Sequence, residues 1–178
     1  REPAHTIRFL DAQQIVDQLG AVRHTVAMHV DVAILIYAGL RREELTWLTT
    51  ADVDMEKRLI FVRAKEINGV AWQPKTKSNR VVPISDALFE ILSTFITARK
   101  TVWFLPSPTG VRWDPDNFSQ DLRAMNTAAG LAWSCLDFRH TFGSHLAQKG
   151  ESLFKIATLM GNSPEICQGI RLQASCKL

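Results

Sequence analysis

Apolar residues recur at helical spacing near the start of the chain. Asp11 and Gln14 have the spacing of a capping box, which predicts that a first helix begins there and ends at Gly20. The apolar positions on its shared face are Ala12, Ile15, Val16 and Leu19. Thr25 to Ala38 form a second run, with apolar residues three and four apart, and predict a longer helix. We expect both helices to contribute to the core.

A change of period marks the middle of the chain. Gly39 ends the second run, and Arg41 to Leu48 resume helical spacing. From Arg58 to Ile84 the pattern changes to short β-rich segments, separated by turn signals such as Asn68-Gly69. The predicted strands are Leu59 to Val62, Val70 to Trp72 and Arg80 to Val82. They predict a small three-stranded antiparallel sheet.

Helical spacing returns after these strands. Ser85 and Asp86 predict the start of a helix through about Ala98, and residues 102–115 have the composition of irregular chain. Three further helices are predicted at Asn117 to Ala129, Phe138 to Lys149 and Leu153 to Met160, each followed by a glycine. The whole pattern predicts an α+β fold that is mainly α-helical, with a small three-stranded antiparallel sheet.

Composition places the chain among folded proteins. It has 178 residues, of which 46% are hydrophobic and 22% charged, and this is too apolar for a disordered chain. The length predicts a single domain over residues 1–178. The 21 Lys and Arg residues and 18 Asp and Glu residues give a net charge of +3, which permits nucleic-acid binding without indicating it.

The sequence gives no sign of a membrane span, an export leader or a metal site. The most apolar run, Val30 to Leu40, contains Asp31 and is shorter than the ~20 residues that span a bilayer. Residues 1–20 lack the features of a leader, so we expect a cytoplasmic location. Cys135, Cys167 and Cys176 lack disulfide-framework or metal-ligand spacing. We therefore expect three ordinary thiols, no metal and no cofactor.

Three basic residues lie beside predicted breaks in the chain. Arg41 follows Gly39, Lys75 lies at a predicted turn, and Arg139 lies near the start of a predicted helix. Two guanidinium forks and one ammonium group suit a phosphodiester better than a carboxylate. Spacing alone also leaves open that they are solvated surface charges, because most Lys and Arg side chains are exposed.

The segments around these cations strengthen the first interpretation. In chain order they are YAGLRREEL (37–45), KTKSNRVVPI (75–84), LDFRHTF (136–142) and LMGNS (159–163). They resemble the Y-T-G-L-R-x-x-E-L, K-T-x-x-x-R-x-V-P-L, H-D-L-R-H-T-F and L-L-G-H-S elements of the tyrosine recombinases, the phage integrase family. The four matches follow the family order with family-like spacing, so the chain is identified as a member from Tyr37 to Ser163.

The resemblance implies DNA recombination and integration on double-stranded DNA, by a possible homo-oligomer assembled on that DNA. In this family a Tyr hydroxyl attacks a phosphodiester and leaves a 3′-phosphotyrosyl link and a free 5′-hydroxyl, without metal or nucleotide. By motif, Arg41 and Arg139 would hold the phosphate and Lys75 would protonate the leaving oxygen. Glu44, about one helical turn after Arg41, would orient the site.

Other assignments stay open for some of these positions. Lys77 or Arg80 is an alternative to Lys75 as the working cation of the hairpin. Glu44 is alternatively a helix-face charge paired with a neighbour. His140 follows Arg139 as in the family, but we expect a core histidine there and do not assign it a catalytic role.

Three positions depart from the family pattern. Leu136 stands where the motif has a His three residues before the second Arg, and it can neither donate nor accept a proton. Asn162 replaces the second His and keeps a hydrogen-bond donor for a phosphate oxygen. Arg171 stands where the nucleophilic Tyr is expected. The single tyrosine of the chain, Tyr37, has an expected packing role.

Residues 168–178 match no family pattern and lack helical periodicity. This anomalous tail is either foreign, through a frame change or a damaged gene, or it is authentic and the protein is a degenerate relative. The 178 residues also leave no room for the family's N-terminal DNA-gripping domain, which predicts weak, salt-sensitive binding. The leading interpretation is a recombinase catalytic domain defective in strand cleavage. The alternatives are a non-catalytic DNA-binding module and a helical interaction domain with coincidental motifs.

Overall fold

The computed structural model describes residues 7–95 and 101–175, which form eight α-helices and five short strands. The helices are α1 (Ala12–Val22), α2 (Val26–Ala38), α3 (Arg42–Thr46), α4 (Asp86–Phe95), α5 (Pro115–Ala128), α6 (Cys135–Gln148), α7 (Leu153–Met160) and α8 (Pro164–Ser175). The strands are β1 (Val53–Asp54), β2 (Leu59–Val62), β3 (Lys65–Ile67), β4 (Val70–Trp72) and β5 (Arg80–Pro83). The predicted mainly α-helical α+β class is confirmed.

Helix α2 lies at the centre of the molecule and packs against α1, α4 and α6. It is buried around most of its circumference, and Val30, Val32, Ile34 and Ile36 are all at most 2% exposed. A helix surrounded by other helices needs apolar residues on every side, which explains its continuous apolar sequence. None of the helices described here is long and apolar enough to cross a membrane.

Helix α1 begins as predicted but differs at its end and in its buried face. The Asp11 carboxylate accepts from the Gln14 backbone N–H at 2.8 Å, and the Gln14 side chain accepts from the Asp11 N–H at 2.9 Å, so the capping box is confirmed. The predicted end at Gly20 is wrong, because the helix continues through Val22. Val16, predicted on the apolar face, is 63% exposed, since α1 packs through the face that carries Ile15.

A three-stranded antiparallel sheet is present, but one of its strands differs from the prediction. Its order is β1-β2-β5, with Ile60 opposite both Val53 and Val82. Strand β4 pairs instead with β3 in a separate hairpin around Asn68-Gly69. Both turn residues have positive φ, 53° and 76°, which closes a two-residue hairpin locally and removes β4 from the larger sheet.

The predicted helix ends at Gly39, Gly130, Gly150 and Gly161 are confirmed by left-handed backbone at all four positions. Helices α5 and α6 begin earlier than predicted, because Asp114 and Ser134 cap them. The predicted continuation of α4 to Ala98 lies outside the described residues.

The predicted lack of helical structure after residue 168 is wrong for the part of the tail that the structure describes. Helix α8 runs to Ser175 and packs against α6 and α7. Its buried residues are Cys167, Ile170 and Ala174, which recur three and four positions apart. Small and sulfur-containing side chains carry this weak periodicity, which explains why the sequence pattern did not reveal it. Residues 176–178 lie outside the described part.

The turn at Gly39 combines a left-handed backbone with a close contact. Its φ is 62°, and an added Cβ would lie 2.3 Å from Phe142 Cδ1. Gly150 has φ 81° but open space around the same position, so Gly150→Ala is the matched control. We expect the left-handed backbone alone to cost roughly 1–2 kcal/mol in Gly150→Ala. Overpacking adds roughly 1–3 kcal/mol in Gly39→Ala. Urea unfolding of both variants measures the difference, and equal losses would contradict the contact.

Candidate active site

Three arginines from different parts of the chain meet at the C-terminal end of α7. Arg41 precedes α3, Arg80 opens β5, and Arg139 lies in α6. Each donates to a different backbone carbonyl of the last turn of α7. Leu159 O accepts from Arg80 Nε at 2.8 Å, Met160 O from Arg139 Nη2, and Gly161 O from Arg41 Nη2 at 2.8 Å. The partial negative charge of a helix C-terminus therefore faces three cations.

Asn162 lies between two of these arginines. Its Oδ1 accepts from Arg41 Nη2 at 2.7 Å and from Arg139 Nη2 at 2.9 Å. Arg139 Nη1 also donates to the carbonyl of Gly39 at 2.5 Å. The sequence assigned Asn162 a donor role, whereas in this structure the acceptor end of its amide faces the arginines.

Glu44 is the counterion of the cluster. Its carboxylate accepts a fork from Arg80 Nη1 and Nη2 at 2.8 and 2.6 Å. It also accepts from the Arg41 backbone N–H at 2.7 Å and from Arg41 Nη1 at 3.0 Å. Burial alone raises the pKa of Glu44, but the hydrogen bonds and charges of Arg80 and Arg41 outweigh it, so the pKa is lowered. The group is therefore ionised at neutral pH.

The cluster carries more positive than negative charge. One carboxylate, Glu44, faces Arg41, Arg80 and Arg139, of which Arg80 and Arg139 are only 7% and 5% exposed. Burial and the neighbouring Arg41 lower the pKa of Arg139 to about 9. Desolvation and like-charge repulsion both disfavour the charged guanidinium, and a bound anion would relieve both. The arrangement therefore favours binding of an anion.

Solvent reaches the cluster on the side of Arg41, whose side chain is 21% exposed. A cleft of about 790 Å³ opens there, and its lining includes Arg41, Arg42, Arg123, Trp133 and Arg139. A guanidinium has five N–H donors. Among the described residues, three side-chain hydrogen bonds engage Arg41 and three engage Arg139, so both keep donors for a ligand.

The structure joins four of the predicted site residues and leaves two outside the cluster. Lys75 lies in the exposed turn between β4 and β5, and among the described residues no hydrogen bond or ion pair joins it to Arg41 or Arg139. Arg80 is the hairpin cation that enters the cluster. His140 is half-buried, and burial lowers its pKa. The roles of these residues in DNA chemistry stay predictions.

The departures at positions 136 and 171, and two further residues named from the sequence, also have defined places. Leu136 is 60% exposed and lines the cleft. Arg171 is an exposed residue of α8. Tyr37 packs half-buried against the core, and burial raises its pKa. Cys135 also lines the cleft, and burial raises its pKa to about 11, so its thiol is protonated at neutral pH.

Sequence reasoning missed how tightly Arg80 and Glu44 are paired. The signal was present, because the hairpin motif places an Arg five residues after Lys75. It also missed that the backbone carbonyls at the end of α7 accept hydrogen bonds from the arginines, because every residue type carries a backbone carbonyl and none marks it as an acceptor. Within the two described ranges, no group of three or more His, Cys, Asp or Glu residues is placed to hold a metal ion.

The helical fold with its inserted sheet is that of a tyrosine recombinase catalytic domain. Two solved structures share the fold, one being the XerA recombinase, with a TM-score of 0.78 and 21% identity over 96% of this chain and 60% of that one. The other is the Tn1549 transposon integrase in complex with a circular intermediate DNA, with a TM-score of 0.82 and 19% identity over 94% and 62%.

The Phage integrase family model matches residues 6–164, and the chain belongs to this family. Related proteins include tyrosine recombinase XerD of Brucella suis biovar 1, 28% identical over 76% of this chain and 44% of the relative. Tyrosine recombinase XerA of Thermococcus onnurineus is 29% identical over 74% and 46%. The chain thus spans less than half the length of these relatives. Family membership excludes the interpretation of coincidental motifs.

The shared counterion makes stability depend on Glu44. Glu44→Gln leaves Arg41 and Arg80 without an anion, and breaking a buried ion pair costs roughly 3–5 kcal/mol. Because the folded-state pKa is lowered, this stabilisation is complete above the ordinary pKa of about 4.3. It is lost as the pH falls through the lower folded-state value.

Urea unfolding from about pH 7 to about pH 3 measures the difference in free energy of unfolding between the wild type and Glu44→Gln. This difference should shrink in acid. Glu90→Gln on the exposed face of α4 is the control, with an expected change under about 0.5 kcal/mol. A difference in free energy of unfolding that stays constant in acid would contradict the ionised pair.

Proposed function

We propose that this chain is the catalytic domain of a DNA integrase or site-specific recombinase, and that it binds duplex DNA through a backbone phosphate at Arg41 and Arg139. The observation that carries the proposal is the excess of buried positive charge beside an open cleft. Family membership supports it. So do solved relatives of the same fold, such as a lambda integrase dimer bound to a COC′ core site. A homo-oligomer on DNA and a cytoplasmic location belong to the same proposal.

Each group of the site has a part in this proposal. Arg41 and Arg139 use their remaining N–H donors to neutralise charge on the non-bridging phosphate oxygens. Lys75 is exposed in its turn, so it can approach DNA lying over the cleft and protonate the leaving 5′-oxygen. Glu44 holds Arg41 in place. Asn162, which follows α7, bridges the two arginines, whereas His140 has no assigned part in holding them. The reaction uses no metal or other cofactor.

We further propose that this chain does not cleave DNA by itself. Its one tyrosine, Tyr37, is half-buried in the core, and Arg171 stands at the expected position of the nucleophile. The second candidate function is therefore a non-catalytic DNA-binding module. The cation at position 171 favours this alternative, because a guanidinium binds phosphate but cannot serve as a nucleophile.

DNA binding should depend on the cleft arginines. Arg41→Ala removes charge-assisted hydrogen bonds to phosphate worth roughly 1.5–3 kcal/mol, an affinity loss of about 10- to 150-fold. Fluorescence anisotropy with a labelled duplex at several salt concentrations measures it, and the slope of log K against log salt should fall by about 1 per lost phosphate contact. Arg23→Ala, an exposed cation outside the cleft lining, is the charge-matched control. Equal losses in both variants would contradict the proposed site.

Strand cleavage should appear when the nucleophile is supplied. Arg171→Tyr places a phenol at the family position while α8 keeps its buried residues. We expect this variant to form a covalent adduct with a nicked duplex, resolved on a denaturing gel, and the wild type to form none. The double variant Tyr37→Phe, Arg171→Tyr controls for the native tyrosine and should retain the adduct. An adduct formed by the wild type would overturn the proposed defect.

A further inference from the structure

The side-chain oxygen of Asn162 occupies a place suited to a ligand atom. It accepts hydrogen bonds from Arg41 at 2.7 Å and from Arg139 at 2.9 Å, and these are the two arginines proposed to hold phosphate. One oxygen shared by two guanidiniums is the arrangement expected of a bound phosphate oxygen. A guanidinium can only donate, so the amide has to present Oδ1 to both arginines. Its two Nδ2 hydrogens are therefore not used in this bridge.

We propose that the Asn162 amide is a placeholder for a phosphate oxygen. It bridges Arg41 and Arg139 in the free protein, yields this position when DNA binds, and turns its Nδ2 group toward the anion. The inference rests on the proposed function, because the ligand is the same backbone phosphate. An amide suits this exchange, since one end accepts and the other donates. No proton is taken up or released, and a Leu or Asp side chain cannot serve at both stages.

Charge sets the direction of the exchange. The amide oxygen is neutral, whereas a phosphate oxygen carries negative charge, so phosphate adds the attraction of opposite charges to the hydrogen bonds that each guanidinium donates. The cluster holds the guanidiniums of Arg41, Arg80 and Arg139 against the single carboxylate of Glu44. A phosphate oxygen therefore displaces the amide oxygen, while water, which is also neutral, has no such advantage.

Without DNA, the bridge has a second effect. Arg41 and Arg139 repel each other, and a shared acceptor holds their Nη2 groups around one point. The backbone of Asn162 is fixed, because its N–H donates to Ala157 O at 3.0 Å after the left-handed turn at Gly161. Only the side chain has to move. The arginines are thus ordered before DNA arrives, which reduces the entropy lost on binding.

The test follows the amide directly. The full chain, labelled with ¹⁵N-asparagine, is titrated with a short DNA duplex at low salt, and Asn162→Ala assigns the Asn162 side-chain signal. We expect that signal to shift in proportion to the bound fraction. Asn126 is the internal control, because its Oδ1 accepts from Gln18 at 2.8 Å and its Nδ2 donates to Trp133 O at 2.9 Å. Both ends of Asn126 are satisfied within the fold, so its signal should shift much less than that of Asn162, although Asn126 lines the same cleft.

A binding measurement completes the test. Asn162→Asp keeps an oxygen in the bridge, adds a charge and removes the donor, so its DNA affinity should fall at least about ten-fold. DNA binding with an unmoved Asn162 signal, or an Asn162→Asp variant that binds within two-fold of the wild type, overturns the placeholder and leaves the phosphate site standing. Absence of DNA binding by the wild type overturns the proposed function, and the placeholder with it.

Discussion

The shared carboxylate of Glu44 is the interaction on which the rest of the site depends. Three guanidiniums converge within one partly buried cluster, and like charges in a low-dielectric interior repel strongly. Glu44 offsets this by accepting from Arg80 and Arg41 at once, and it is itself only 3% exposed. Its position follows from local structure, because it lies one turn after Arg41 in α3 and accepts the Arg41 backbone N–H. A short helix thus supplies both the cation that faces solvent and the anion behind it.

The C-terminal end of helix α7 holds the three arginine side chains in place. Its last turn offers carbonyls that a helix leaves without intrahelical partners, and the arginines use them. The left-handed residue Gly161 then reverses the chain so that Asn162 meets Arg41 across 121 positions of sequence. An added Cβ at Gly161 would lie 3.0 Å from Arg80 Nη1. Both the left-handed backbone and the close packing of the cluster therefore favour glycine at this position. Residues far apart in sequence therefore depend on one helix end.

Much of the fold could be predicted from the sequence, and the elements that were predicted wrongly have physical causes. Caps and glycine stops are local, so Asp11 and Gly39 marked real boundaries. The pairing of β4 was misassigned because a two-residue turn closes a hairpin more readily than a distant strand pairs. In the site, the motifs identified Arg41, Arg139 and Glu44, but they favoured Lys75 over Arg80, which is the hairpin cation that pairs with Glu44. They could not reveal that Asn162 accepts rather than donates, since orientation of an amide is decided by the neighbours it meets in three dimensions.

The residues that pack α8 against the domain differ from the residue at position 171, where the nucleophile is expected. Cys167, Ile170 and Ala174 bury this helix against α6 and α7. Arg139 is held by the carbonyls of Gly39 and Met160 and by the side chain of Asn162. Under the proposed function, this cluster binds phosphate while Arg171 stands at the expected position of the nucleophile. In that proposal, binding and cleavage place separate demands on the sequence, and the residues proposed for binding are the ones that the chain retains.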